Sequence, residues 1–179
     1  CRTTGCGRGS ERSLTASERS GGTTGGYLFY KLSEYGYHRY EISNYAKAGY
    51  VCRHNVGYWK RVDYIGFGLG ASTLQNPLRY KNTDDLQEYL NRDFSKKELL
   101  VLTKDNQIEE TLFLGLRMME GVSLSAFEEH FHCPLTVIYQ REIQKLTEKG
   151  LLRIEEDRIS LTKKGIDLSN MVLSEFLLG

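Results

Sequence analysis

LLRIEEDRISLT, residues 151–162, holds two alternating runs on either side of Glu156 and Asp157. That pattern predicts a hairpin, because side chains of a strand point to opposite faces in turn. Three helical patterns precede it. Asn106 with Glu109 makes a capping-box pattern, and Ile108, Leu112, Gly115 and Met119 follow one stripe that Gly121 ends. Ser123 or Ser125 opens a short helix through His130. Leu135, Tyr139, Ile143 and Leu146 form the face of a third, closed by Gly150. After the hairpin, Thr162 caps a last helix carrying Ile166, Leu173, Phe176 and Leu177. Three helices, a two-stranded wing and a final helix predict a helical, winged-helix-like domain over 105–179.

Working toward the N-terminus, Leu28, Leu32 and Tyr35 fall on one helical face over 27–36, with Gly36 as the C-cap. YHRYEIS, residues 37–43, then predicts a strand, so this pair reads as an α/β unit. Residues 44–82 are rich in Gly, Asn and aromatics without a clean period. They predict a long functional loop with one short strand near Tyr64–Gly68. Thr83, Asp84 and Asp85 start a further helix whose inner face is Leu86, Tyr89 and Leu90. The fold class expected for the whole is α+β. Residues 1–26 carry seven Gly, five Thr, four Ser and four Arg, with Leu14 as the one large aliphatic residue. Such a segment buries too little apolar surface to offset its chain entropy. It is expected to be a disordered or non-native leader, and the chain a piece of a longer protein.

The 179 residues are 40% hydrophobic and 26% charged, ordinary for a soluble domain or two small ones. No apolar run has the length of a membrane span, and the four Cys lack a disulfide-framework spacing. Both features lead us to expect a cytoplasmic protein with free thiols. The near-neutral total hides an asymmetry. Residues 1–104 hold 16 basic and 10 acidic side chains, whereas 105–179 hold 8 and 13. A winged helix invites a DNA-binding reading, but nucleic acid needs cations to replace phosphate counterions. The candidate recognition helix sets Arg141, Lys145 and Lys149 against Glu142 and Glu148, and the wing tip is Glu155, Glu156 and Asp157. No nucleic-acid partner is therefore expected.

Three stretches carry possible chemistry. In DYIGFGLGAS, residues 63–72, alternate Gly66, Gly68 and Gly70 clear one face for a backbone, a ring or a phosphate. No helix opens after them as a dinucleotide fingerprint requires, and a tight bend explains them equally well. In YEISNYA, residues 40–46, Glu41 and Asn44 stand where the predicted strand ends. Ligands gather at such ends in parallel α/β sheets, although a buried, hydrogen-bonded carboxylate fits Glu41 as well. CRHNVGYW, residues 52–59, is the densest. His54 can ligate iron through a ring nitrogen. Tyr58 and Trp59 can flank a macrocycle, and Arg53, Lys60 and Arg61 can pair with its carboxylates. The alternative is a loop histidine beside an aromatic anchor.

The order GYHRYEISNYA, CRHNVGYWKRVDYIGFGLGAS, QIEETLFLGLRMMEGV, EKGLL and ISLTKKG resembles the oxygen-independent coproporphyrinogen III oxidase-like family of radical-SAM proteins. His54, Asn55, Tyr58 and Trp59 resemble the motif of its haem-chaperone branch. The resemblance covers about residues 30–178. It implies the last α/β unit of a partial (β/α)6 barrel over 27–43, a haem-motif loop to residue 104, and a C-terminal winged-helix-like domain. It implies a protein that binds haem, with His54 on the iron and Arg53, Asn55, Tyr58 and Trp59 around it, and passes the haem to an apo-haemoprotein. Glu41 and Asn44 would lie toward S-adenosylmethionine. The oxidase itself, an enzyme of porphyrin biosynthesis, is the alternative, and an interaction module the third. The family's Cys-x3-Cys-x2-Cys motif for a [4Fe–4S] cluster is absent from these 179 residues. The cluster and S-adenosylmethionine are thus implied for a longer parent, and this chain alone is expected to be inactive in radical chemistry.

Overall fold

The structure is a computed structural model that describes residues 31–91 and 95–177. The expected disorder of residues 1–26 and the start of the first helix lie outside those residues. The chain divides into two compact units, Cys1–Tyr37 and His38–Gly179. In the first, residues 31–34 are helical. Gly36 takes a φ of 76°, and the Tyr37 N–H returns to the Leu32 carbonyl at 3.0 Å. Gly36 thus ends the helix in the left-handed conformation that a side chain resists.

The second unit begins differently from the expected strand. Only His38–Arg39 (β1) is extended, and it pairs antiparallel with Tyr45–Ala46 (β2). Glu41 instead forms an antiparallel bridge with Met118. The predicted loop over 44–82 is largely ordered into elements. Arg53–Trp59 is a helix (α1), and Ser72–Gln75 (β3) and Leu78–Lys81 (β4) form a hairpin about Asn76–Pro77. Lys97–Val101 (β5) adds to β4. Tyr64 makes one bridge to Leu74 in place of a strand. Asp85 caps Leu86–Leu90 (α2) through bonds from the Gln87 and Glu88 N–H groups. Leu86 and Leu90 point outward, not into a core.

Beyond residue 102 the helical periods set the core. Thr103, not Asn106, is the N-cap of Lys104–Gly115 (α3), and the two form a reciprocal capping box. Val122–Ser123 (β6) leads into Leu124–Phe131 (α4), capped by Ser123. The third predicted helix is two, Leu135–Ile138 (α5) and Gln140–Glu148 (α6). They meet at Tyr139, whose φ of −114° and ψ of 34° leave the helical region. Leu135, Tyr139, Ile143 and Leu146 are all buried on one face, as their spacing requires. Leu152–Glu155 (β7) and Arg158–Leu161 (β8) make the hairpin, and β6 pairs with β8. Thr162 caps Lys163–Asp167 (α7), and Ser169–Ser174 (α8) follows as a separate helix. Phe176 and Leu173 enter the core, whereas Leu177 stays outside.

These side chains form one continuous cluster from Ile108 to Phe176. Full burial of each aliphatic member contributes about 1.5–3 kcal/mol. The wing turn is also tied to this core. Asp157 accepts from the Ser123 and Ser125 hydroxyls at 2.6 and 2.8 Å and from the Ser125 N–H at 2.8 Å. The acidic tip of the wing therefore satisfies the start of α4.

Candidate functional site

CRHNVGYW forms α1 with its two halves on different sides. His54 and Tyr58 are four residues apart, as are Asn55 and Trp59, so each pair shares one stripe of a helix. The outer stripe is exposed. The His54 ring meets Tyr58 edge-on at 4.6 Å, and Tyr58 meets Tyr64 edge-on at 4.6 Å. Neither nitrogen of His54 has a hydrogen-bond partner among the described residues, and Arg53 has no carboxylate partner there. Arg53, His54, Gly57, Tyr58, Asp63 and Tyr64 line an open cleft of about 180 Å³. A second cleft of about 400 Å³ shares Tyr58 and Tyr64 as a wall and reaches Asn55, Trp59 and Arg79. Burial, and then the neighbouring Tyr58 hydroxyl, push the Tyr64 phenol above its ordinary pKa. Tyr64 therefore stays protonated, a neutral donor at the cleft wall.

The inner stripe is engaged with protein. Asn55 Nδ2 lies 3.5 Å from the Tyr40 hydroxyl, at the limit of a hydrogen bond. The Arg117 guanidinium lies over the Trp59 ring at 4.6 Å. Trp59 is thus stacked by this chain's own cation. Lys60 and Arg61 are also occupied. Lys60 pairs with Glu120 at 2.8 Å, and Arg61, 8% exposed, pairs with Glu110 at 3.0 Å. Of the three cations expected to meet carboxylates of a ligand, Arg53 alone is unpaired among the described residues.

Glu41 is 0% exposed. It accepts from the Ser43 N–H at 2.9 Å, and its other oxygen is 3.8 Å from Arg117 Nη2. Asn44 is exposed, and its carbonyl accepts from the Tyr40 N–H. The two thus lie on opposite sides of one turn. The glycine run is a clamped loop. Asn82 Nδ2 donates to the Gly66 and Gly68 carbonyls, and the Gly66 N–H donates to Thr73 Oγ1. A Cβ at Gly66 would stand 2.2 Å from the Ser72 carbonyl oxygen. The chain's own backbone therefore fills the face that the missing side chains clear.

Among the described residues no three His, Cys, Asp or Glu side chains gather to hold a metal ion. Cys52 and Cys133 are free thiols, and Cys1 and Cys6 lie outside those residues. No set of described thiols fits a cluster. A porphyrin iron, which needs one nitrogen from the protein, fits His54. Sequence reasoning missed Tyr40, Tyr64 and Arg117. Tyr64 and Arg117 sit in stretches whose periods describe other features, and nothing local marks them as neighbours of α1.

Residues 102–168 match the family described as HemN C-terminal domain. Over those residues the chain belongs to the HemN C-terminal domain family. Among its relatives are proteins described as heme chaperone HemW. The one from Lactococcus lactis is 39% identical over 85% of this chain and 41% of its own length. The Bacillus subtilis protein is 37% identical over 82% and 40%. This chain thus spans about two-fifths of the relatives it matches. The solved coproporphyrinogen III oxidase (HemN) of Escherichia coli superposes with a TM-score of 0.65 at 17% identity, over 84% of this chain and 39% of that one. At that identity the likeness is one of fold.

Proposed function

We propose that this chain is the C-terminal, haem-holding part of a radical-SAM haem chaperone that passes haem to apo-haemoproteins in the cytoplasm. The observation that carries the reading is His54: an exposed imidazole whose nitrogens have no partner among the described residues, set edge-on to Tyr58 beside an open aromatic cleft. A ring nitrogen can coordinate iron, and the edge contact restrains the ring's rotation. Arg53, one residue away and unpaired among the described residues, would meet a propionate. Tyr58 and Tyr64 offer faces to a planar macrocycle. Asn55 and Trp59 seat the helix from beneath. A ligand held at an open surface leaves more readily than one enclosed, which suits transfer.

Glu41 and Asn44 stand as candidates for the side facing S-adenosylmethionine. The cluster and that cofactor belong, in this reading, to the longer parent. We read residues 27–104 as the end of its barrel with the haem loop. We read 105–179, with α4 to α6 and the β7–β8 hairpin, as a winged-helix-like domain that serves as a structural partner, and residues 1–26 as a leader.

The test is a haem titration followed at the Soret band. Wild-type protein is expected to bind one haem, and His54→Ala to lose affinity and shift the band. Unchanged affinity and spectrum in His54→Ala would remove His54 as the ligand. Formation of protoporphyrinogen by the parent with its cluster and S-adenosylmethionine would favour the oxidase instead.

A further inference from the structure

We propose that Arg117 is the positioning residue of the His54 helix, acting through Trp59; the proposal rests on the haem reading of His54. The physical need comes from α1 itself. It has seven residues, no side-chain N-cap at Cys52, no acidic residue in its first turn and no basic residue in its last. It also carries Gly57 in its interior. Helices this short are marginal in water, and an interior glycine weakens them further. What keeps Arg53–Trp59 helical must therefore come from what its inner stripe touches.

That stripe rests on a junction of two distant segments. The Ile42 N–H donates to the Arg117 carbonyl at 3.0 Å, and the Met119 N–H to the Tyr40 carbonyl at 3.1 Å. These bonds fix the Cα of Arg117. From there its guanidinium spans two partners, the Trp59 ring at 4.6 Å and the Glu41 carboxylate at 3.8 Å. Glu41 Oε2, Arg117 Nε and Trp59 Nε1 are all buried without a hydrogen-bond partner among the described residues. The backbone of the junction is thus held by directional bonds, whereas its Glu41–Arg117–Trp59 side chains meet through charge and stacking, with the guanidinium as their shared member. Tyr40 reaches Asn55 from the same junction. With the inner stripe held, the helix must present His54 and Tyr58 outward on adjacent turns. With Arg117 gone, the last turn of α1 loses its anchor, and His54 and Tyr58 lose their common orientation.

Trp59 is the chain's one tryptophan, so its fluorescence reports on this contact alone, before any haem is added. Two variants test the proposal. Arg117→Lys keeps a cation but not the planar stack. Glu41→Gln combined with Arg117→Met removes the buried charge together with its partner, which avoids leaving one uncompensated. Both are expected to shift Trp59 emission to longer wavelength. The double variant is expected to weaken haem binding about tenfold, the scale of a desolvated cation–π contact, and to alter the Soret band at saturating haem. Arg117→Lys should fall between it and wild type. If both variants match wild type in affinity and Soret position while His54→Ala loses them, Arg117 does not position the helix. If His54→Ala also matches wild type, the haem reading fails first.

Discussion

Arg61 and Glu110 lie 49 residues apart in sequence and meet with Nε 3.0 Å from Oε2. Arg79 joins the same carboxylate through bonds of 2.6 and 2.9 Å. The hydrogen bond to Glu110 holds the Arg79 guanidinium above its ordinary pKa. The basic excess of the first 104 residues and the acidic excess of the rest are thus spent partly on each other. Lys60 with Glu120 repeats the pattern. Charge asymmetry along this chain reports an internal seam.

Removing that carboxylate is expected to be costly. Glu110→Ala leaves Arg61 buried without its anion, and breaking such a pair costs about 3–5 kcal/mol. Urea denaturation of the variant should show a much lower midpoint. A midpoint within experimental error of wild type would mean that the seam contributes nothing to stability.

Two glycine substitutions should move stability in opposite directions. A Cβ at Gly57 would meet only the Val62 Cβ at 4.0 Å. Gly57→Ala should therefore stabilise the protein by about 0.5–1 kcal/mol through helix propensity. At Gly165 the added carbon would stand 2.0 Å from the Leu151 carbonyl oxygen. Gly165→Ala should cost about 1–3 kcal/mol as overpacking. Paired thermal melts decide the matter; equal shifts for both would contradict the packing described.

Acid should loosen the wing through Asp157. Bonds from the Ser123 and Ser125 hydroxyls, and then from the Ser125 N–H, hold its carboxyl below the usual carboxylate range, against a small opposing effect of burial. A folded pKa below the unfolded one means the contribution is present above the ordinary carboxylate pKa. It is lost as pH falls through the folded value. Asp157→Asn should therefore lower Tm at pH 7 and narrow the gap to wild type as pH falls toward 3. A gap that stays constant over that range would rule out ionisation of Asp157 as the cause.

How much of this was legible in the sequence depends on distance along the chain. The hairpin over 151–162, the buried face of Leu135, Tyr139, Ile143 and Leu146, and the cap at Thr162 are local patterns, and they hold; of the two serines offered for the next cap, Ser123 is the one used. The break at Tyr139 and the second helix after Leu168 are backbone events that a run of apolar spacings passes over. The helix at Arg53–Trp59 was missed because its own signals are weak: a central glycine, no cap, and polar residues on both stripes. The contacts on its inner stripe come from Tyr40 and Arg117, which are far from it in sequence. The exposed pair His54 and Tyr58 was legible as chemistry, but its separation from Trp59 required the helix to be known. Lys60 and Arg61 read as ligand-facing cations because their partners, Glu120 and Glu110, lie too far along the chain to be seen.

The backbone junction of Tyr40–Ile42 with Arg117–Met119 also bears on the order of events during synthesis. Non-local pairings of this kind are slow to close and wait on the emergence of the later segment. Until Arg117 has emerged, the Trp59 end of α1 lacks the cation it stacks on. The orientation of His54 therefore depends on a segment more than fifty residues further along the chain.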